Sequence, residues 1–184
     1  MSESTVTDAP AQTEVTALRR FRAAFAGKAP ARAPKAAISV ATLGSVAALV
    51  ALVVIGVLLD QTVLIPPLAA SAALVFAAPA LPLSQPRSVV GGQLISAVVG
   101  FLCLAVGGSS MWTAAVAGGL AAGAMALART PHSPAAATAV IVVLTQPSTA
   151  LFLLLLLLAT LVLVGIGILA GRSGKTARYP TYWW

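Results

Sequence analysis

Charge is what this sequence has least of. Only 8% of its 184 residues are Asp, Glu, Lys or Arg, where a soluble domain carries about a quarter. That deficit excludes an ordinary globular enzyme, a disordered chain and, despite a formal net charge of +7, a nucleic-acid-binding module. Acidic residues number 4 in all, and Asp60 stands alone beyond the N-terminal region, so no acid–base pair exists and no enzyme is expected. The single cysteine, Cys103, cannot form an intrachain disulfide, and among Phe101, Leu102 and Leu104 it reads as an inert core thiol. His132 is the one histidine; with no Cys, carboxylate or second His nearby it makes a poor metal site, and no cofactor is expected. No glycine-rich phosphate loop precedes a helix in the required context.

What the chain does have is apolar length. Hydrophobic residues make up 59% and the mean hydropathy is +1.00. Between Lys35 and Arg172 the only charged residues are Asp60, Arg87 and Arg129. This is the pattern of an integral membrane domain, with lipid as its solvent. Residues 1–36 differ: a Ser/Thr/acidic start gives way to a basic run, Arg19, Arg20, Arg22, Lys28, Arg32 and Lys35. It reads as a mostly disordered cytoplasmic tail. A short amphipathic piece around Leu18 to Phe25, lying on an anionic membrane surface, is the other reading.

Long apolar segments fall at 37–59, 89–107, 111–129 and 149–171. Each approaches the roughly 20 residues that cross about 30 Å of hydrocarbon. Two shorter ones, 66–78 and 134–144, begin after proline, where a missing N–H is harmless, and end in proline-rich chain. The run from Pro67 to Val75 aligns without gaps on the run from Pro134 to Val142, placing Ser71 opposite Thr138. The expected fold is therefore an all-α membrane domain, 37–171, of four long transmembrane helices plus two short Pro-initiated half-helices. Its halves, about 37–107 and 111–171, form an inverted repeat of three elements each. If both short segments cross, every Lys and Arg falls on the cytoplasmic side with both termini; if they re-enter, Arg87 and Arg129 move outside. The first arrangement fits better. Residues 172–184 form an aromatic cytoplasmic tail, anchored at the inner interface or unstructured.

Helix starts within a membrane carry unpaired N–H groups and a positive dipole end. Two of them meeting near the midplane make an anion site. The substrate-binding candidates are Pro67, Ala69, Ala70 and Ser71 on one short helix, and Pro134, Ala136, Ala137 and Thr138 on the other. The bland alternative is that Ser71 and Thr138 bond back to their own helix carbonyls. Gln85, Arg87, Gln93, Arg129, His132 and Ser133 form a candidate pathway or vestibule. Snorkelling to the interface is the competing reading for both arginines, and pH sensing or proton movement an alternative for His132. The four-spaced glycines Gly119 and Gly123, and Gly167 and Gly171, read as close helix packing, and leave a homo-oligomer open.

The stretches Pro82-Leu83-Ser84-Gln85-Pro86-Arg87, Gly91-Gly92-Gln93-Leu94-Ile95-Ser96-Ala97 and Arg129-Thr130-Pro131-His132-Ser133-Pro134 form a recognisable set. Together they resemble the HPP family of small membrane proteins, named for a His-Pro-Pro motif. The resemblance spans roughly 36–171. It implies four membrane-spanning segments and, from members linked to nitrite transport in chloroplasts and cyanobacteria, a small-anion substrate. Three positions depart from the family pattern: Ser133 replaces the first proline of the name motif, Ala69 and Ala136 stand where glycine is usual, and Gln93 where a His is common. The expected function is a multi-pass cell-membrane transporter or channel-like carrier of a small inorganic anion, nitrite first. A non-transporting membrane interaction or regulatory subunit is the alternative.

Overall fold

Proline marks the start of three helices of this chain. The computed structural model describes Thr16, Arg19, Arg20 and residues 31–183; the suggested amphipathic piece around Leu18 to Phe25 lies, apart from Arg19 and Arg20, outside them. Pro34 is extended and caps α1, Lys35–Leu59, which closes on Asp60 in the left-handed region with φ 52°. Pro66 and Pro67 open α2, Pro66–Ala77. A 3₁₀ turn, Pro82–Ser84, follows. A π-helical turn, Arg87–Gly91, then runs without a break into α3, Gly92–Gly107. Next come α4, Met111–Leu127, α5, Ser133–Thr145 with Pro134 in its first turn, and α6, Thr149–Gly171. No strand occurs among the described residues.

Three helical stretches are long and apolar enough to span a membrane: Lys35–Leu59, Arg87–Gly107 and Thr149–Gly171. The expected fourth is shorter. The Ser110 side chain accepts the Thr113 N–H at 3.0 Å and fixes the start of α4 at Met111. At the other end Arg129 turns left-handed with φ 56°, and its own N–H and that of Thr130 close on Ala126 and Met125 carbonyls. The 17 residues between these caps reach about 26 Å at 1.5 Å each. The count of long spans is thus three, with α4 joining α2 and α5 as the shorter helices.

The helices are apolar on nearly every side. Leu43, Val57, Leu102, Val106, Trp112, Leu127 and Leu154 stand exposed on the surface, an arrangement that water does not tolerate and lipid does. Inside, α3 packs chiefly against α4 and α5, while α6 packs against α1 and α2; α2 with α5 and α3 with α6 join the two groups. Gly92, Ser96 and Gly100, one turn apart on α3, face the turn before α5 and then α5 itself. A Cβ on Gly100 would stand 2.9 Å from Ala139 Cα, so the two backbones touch there.

Each short helix lies along a longer one in the same direction, α5 beside α3 (Ser96 at Ala135, Gly100 at Ala139) and α2 beside α6. Leu68 of α2 borders a small cavity with Phe152, near the start of α6, whereas Phe76 borders one with Gly167 and Gly171, at its end. The Arg87 guanidinium donates to the Ala128 carbonyl (3.1 Å). The Thr181 N–H donates to Gln85 Oε1 (2.9 Å). Those contacts put the beginnings of α1, α3 and α5 and the C-terminal chain at one end, with Arg87, Arg129 and Arg172. Asp60 lies at the other. The C-terminal chain is therefore no free tail: Tyr179 is buried against Gly167 and Gly171, so that glycine pair accommodates an aromatic ring.

Candidate functional site

The interior of this apolar bundle holds a connected set of polar side chains. Ser71 (α2), Gln93 and Ser96 (α3), Thr138 (α5) and His132, the N-cap residue of α5, are all buried. Their geometry follows from the helix starts. Arg129 reverses the chain after α4, and Thr130 and His132 then lie against Gly92, where any Cβ would stand 2.7 Å from His132 Cβ and 2.9 Å from the Thr130 carbonyl. Glycine at 92 is thus what lets the histidine reach the centre of the bundle. From there Nδ1 lies 2.7 Å from the Leu83 carbonyl, which can only accept, so Nδ1 carries a hydrogen.

His132 Nε2 lies 2.7 Å from Ser71 Oγ. Gln93 Nε2 donates to the same Oγ at 3.0 Å, and Thr138 Oγ1 donates to Gln93 Oε1. Gln93 therefore ties the two matching hydroxyls together, one from each short helix. Ser71 also makes the backward bond to its own helix, to the Pro67 carbonyl at 2.9 Å, whereas Thr138 does not. Ser96 donates to the Ala135 carbonyl. Such a network in a low-dielectric interior is costly unless satisfied, and it specifies one packing.

The other sequence candidates divide plainly. Pro67 is buried beside Ser71, Ala69, Ala136 and Pro134 are half-buried, and Ala70, Ala137 and Ser133 are exposed, away from the cluster. Gln85 is buried, but its amide holds the chain after α2, donating to Pro79 (2.8 Å) and Leu81 (3.0 Å) carbonyls. Arg87 is half-buried near the cluster's basic end, and Arg129 is exposed. The helix starts themselves offer few N–H groups. Pro66 and Pro67 have none and Leu68 N–H is used by Ile65, while in α5 Pro134 has none and Ala135 N–H is used by His132. Side chains, not orphan amides, are the polar content of this region.

Among the described residues no group of His, Cys, Asp or Glu is arranged to hold a metal. The two larger cavities lie elsewhere. One, about 380 Å³, is bordered by Gly56, Asp60 and Leu64 at the acidic end. The other, about 510 Å³, is an apolar groove between Leu102, Cys103, Trp112 and Leu120. Neither borders the cluster, which is closed in this conformation.

The family model for the HPP transmembrane region matches residues 30–180. The chain belongs to the HPP family. It is accordingly a multi-pass membrane protein. No curated protein and no solved structure shows significant similarity to it. Within this HPP chain, sequence reasoning missed Ser96, the Leu83 carbonyl and Tyr179. The first had a readable signal: Gly92, Ser96 and Gly100 form a small-residue row at four-residue spacing, the same pattern recognised at Gly119 and Gly123. On α4 that pattern is idle, since a Cβ on either glycine meets nothing within 4 Å.

Proposed function

We propose that this protein carries a small inorganic anion across the cell membrane, with the Ser71–Gln93–Thr138–His132 cluster as its binding centre. The observation that carries the reading is that cluster: four buried polar side chains from three chain segments converge inside a lipid-facing bundle. Polar groups at membrane depth are expensive and kept for a function. Gln93 Nε2 has two hydrogens and gives one to Ser71, leaving a donor for a ligand. Arg87 stands beside the same region and raises the local concentration of anions at the basic end. Nitrite is the first substrate to test, because family members elsewhere are linked to it.

The packing also supports an inverted repeat. Exchanging α1, α2 and α3 for α4, α5 and α6 carries every principal helix contact onto another: α1–α2 onto α4–α5, α3–α4 onto α6–α1, and α3–α5 onto α6–α2. The pairs α2–α5 and α3–α6 map onto themselves. Two such units rocking about α2 and α5 would open the cluster to one side and then the other. The basic end is read as cytoplasmic.

Flux into vesicles tests the proposal. Purified full-length protein is expected to admit nitrite or nitrate faster than protein-free vesicles do, and the Ser71→Ala, Thr138→Val double variant to lose most of that gain. Equal flux with and without protein refutes it. The closed cluster and the 510 Å³ apolar groove on α3 and α4 favour a second reading, a non-transporting subunit that docks another membrane helix, which that null flux would support.

A further inference from the structure

Hydrogen-atom bookkeeping in the cluster leaves one choice open. Ser71 has a single hydroxyl hydrogen and two acceptors in range, the Pro67 carbonyl at 2.9 Å and His132 Nε2 at 2.7 Å. With Nε2 bare, the hydroxyl turns to the ring and gives up the carbonyl. With Nε2 protonated, the ring donates to Ser71 Oγ, Ser71 donates to Pro67, and the Gln93 donation is kept. The protonated arrangement uses every contact at once, yet it places a positive charge in the bundle, and an unpaired buried charge is costly.

Among the described residues no acidic side chain stands near His132 to balance that charge. α2 and the turn after it carry no ionisable side chain, nor do α4 and α6. The segment around α3 carries Arg87 at its start and Cys103 toward its far end, and the turn before His132 carries Arg129. Asp60, the one acidic side chain among the described residues, lies at the opposite end of α1. No described side chain near His132 is negative, so the natural counter-charge for a protonated ring is a bound anion.

We propose that His132 takes up one proton at Nε2 together with each anion, so that the protein is a proton–anion symporter. This rests on the carrier reading above. The proton comes from solvent on the side where the anion binds, no covalent bond in the protein breaks, and the Ser71 hydrogen merely changes acceptor. The net charge of the cluster is zero before binding and zero with both ligands present. By linkage each ligand strengthens binding of the other.

Because the chain has one histidine, ¹⁵N-histidine labelling of the full-length protein in lipid nanodiscs reports this residue alone. Near neutral pH without anion, the expected spectrum is a neutral ring with hydrogen on Nδ1, the tautomer less favoured in water. Saturating nitrite should convert both nitrogens to the protonated form. In vesicles, nitrate flux at low occupancy should rise about tenfold per unit fall in external pH. His132→Asn keeps an N–H for the Leu83 carbonyl but cannot take a charge, so its flux should be lower and flat with pH. A ring that stays neutral under saturating nitrite and nitrate, in protein whose flux exceeds that of empty vesicles, overturns the coupling and leaves the carrier standing. Absence of flux together with an unchanged ring overturns both.

Discussion

Gly92→Ala tests whether the histidine's position, rather than its mere presence, makes the cluster. The added methyl would stand 2.7 Å from His132 Cβ, 2.9 Å from the Thr130 carbonyl and 3.3 Å from Met125 Sδ. Ordinary contact begins near 3.4 Å, so the turn holding His132 has to retreat by about 0.7 Å. Carried to the ring, that movement stretches the 2.7 Å contacts to Ser71 and Leu83 to about 3.4 Å, the edge of hydrogen bonding. Overpacking costs about 1–3 kcal/mol and each weakened bond about 0.5–1.5. Alanine's better helix propensity returns about 1. A net loss of about 1–5 kcal/mol follows, or a fall in melting temperature of about 2–20 °C for a chain of this size. Thermal unfolding in detergent measures it, with Gly123→Ala as control, since nothing lies within 4 Å of a Cβ there. The control should melt at or slightly above the parent temperature. If Gly92→Ala melts within a degree of the parent and retains flux, the account of His132 placement is wrong.

Three further substitutions probe other parts of the same structure. Gly100→Ala drives a methyl to 2.9 Å from Ala139 Cα and its carbonyl; with backbone on both sides, it should lower stability by about 1–3 kcal/mol, read by melting. Gln93→Leu removes the link between Ser71 and Thr138; it should abolish flux yet cost only about 1–3 kcal/mol, and full flux would exclude Gln93 from the site. Tyr179 Oη is buried without a partner, and burial pushes that hydroxyl far above its ordinary range. Tyr179→Phe should therefore raise stability by about 1 kcal/mol, and a clear fall in melting temperature would mean that the hydroxyl is bonded.

The helix boundaries were largely legible because proline and chain length act locally. Pro66 and Pro134 each mark a start that the structure shows. Hydropathy alone placed 111–129 among the long spans, since it is blind to caps: the Ser110 hydroxyl and the left-handed Arg129 trim that helix to 17 residues. The π turn at Arg87 was not legible either. It extends α3 backward by five residues, and nothing in a run of Arg, Ser, Val, Val and Gly distinguishes an i→i+5 bond from an i→i+4 one. The buried seat of Tyr179 was likewise out of reach, because Gly167 and Gly171 signal close approach without saying by what.

The site shows a different limit. Matching Ser71 with Thr138 by sequence was enough to name two members of the cluster, but the same prolines that revealed the match remove the backbone donors on which a helix-end anion site depends. What replaces those donors comes from α3, a helix with no counterpart in the nine-residue alignment, and from a histidine whose depth is set by the absence of a side chain at Gly92. Both are long-range facts: Gln93 reaches Ser71 across 22 residues and Thr138 across 45. The departure of Gln93 from the family's usual histidine then takes on a specific meaning. A glutamine can bridge two hydroxyls, accepting from one and donating to the other, without adding a second proton site. This leaves His132 as the one group in the cluster that can change charge.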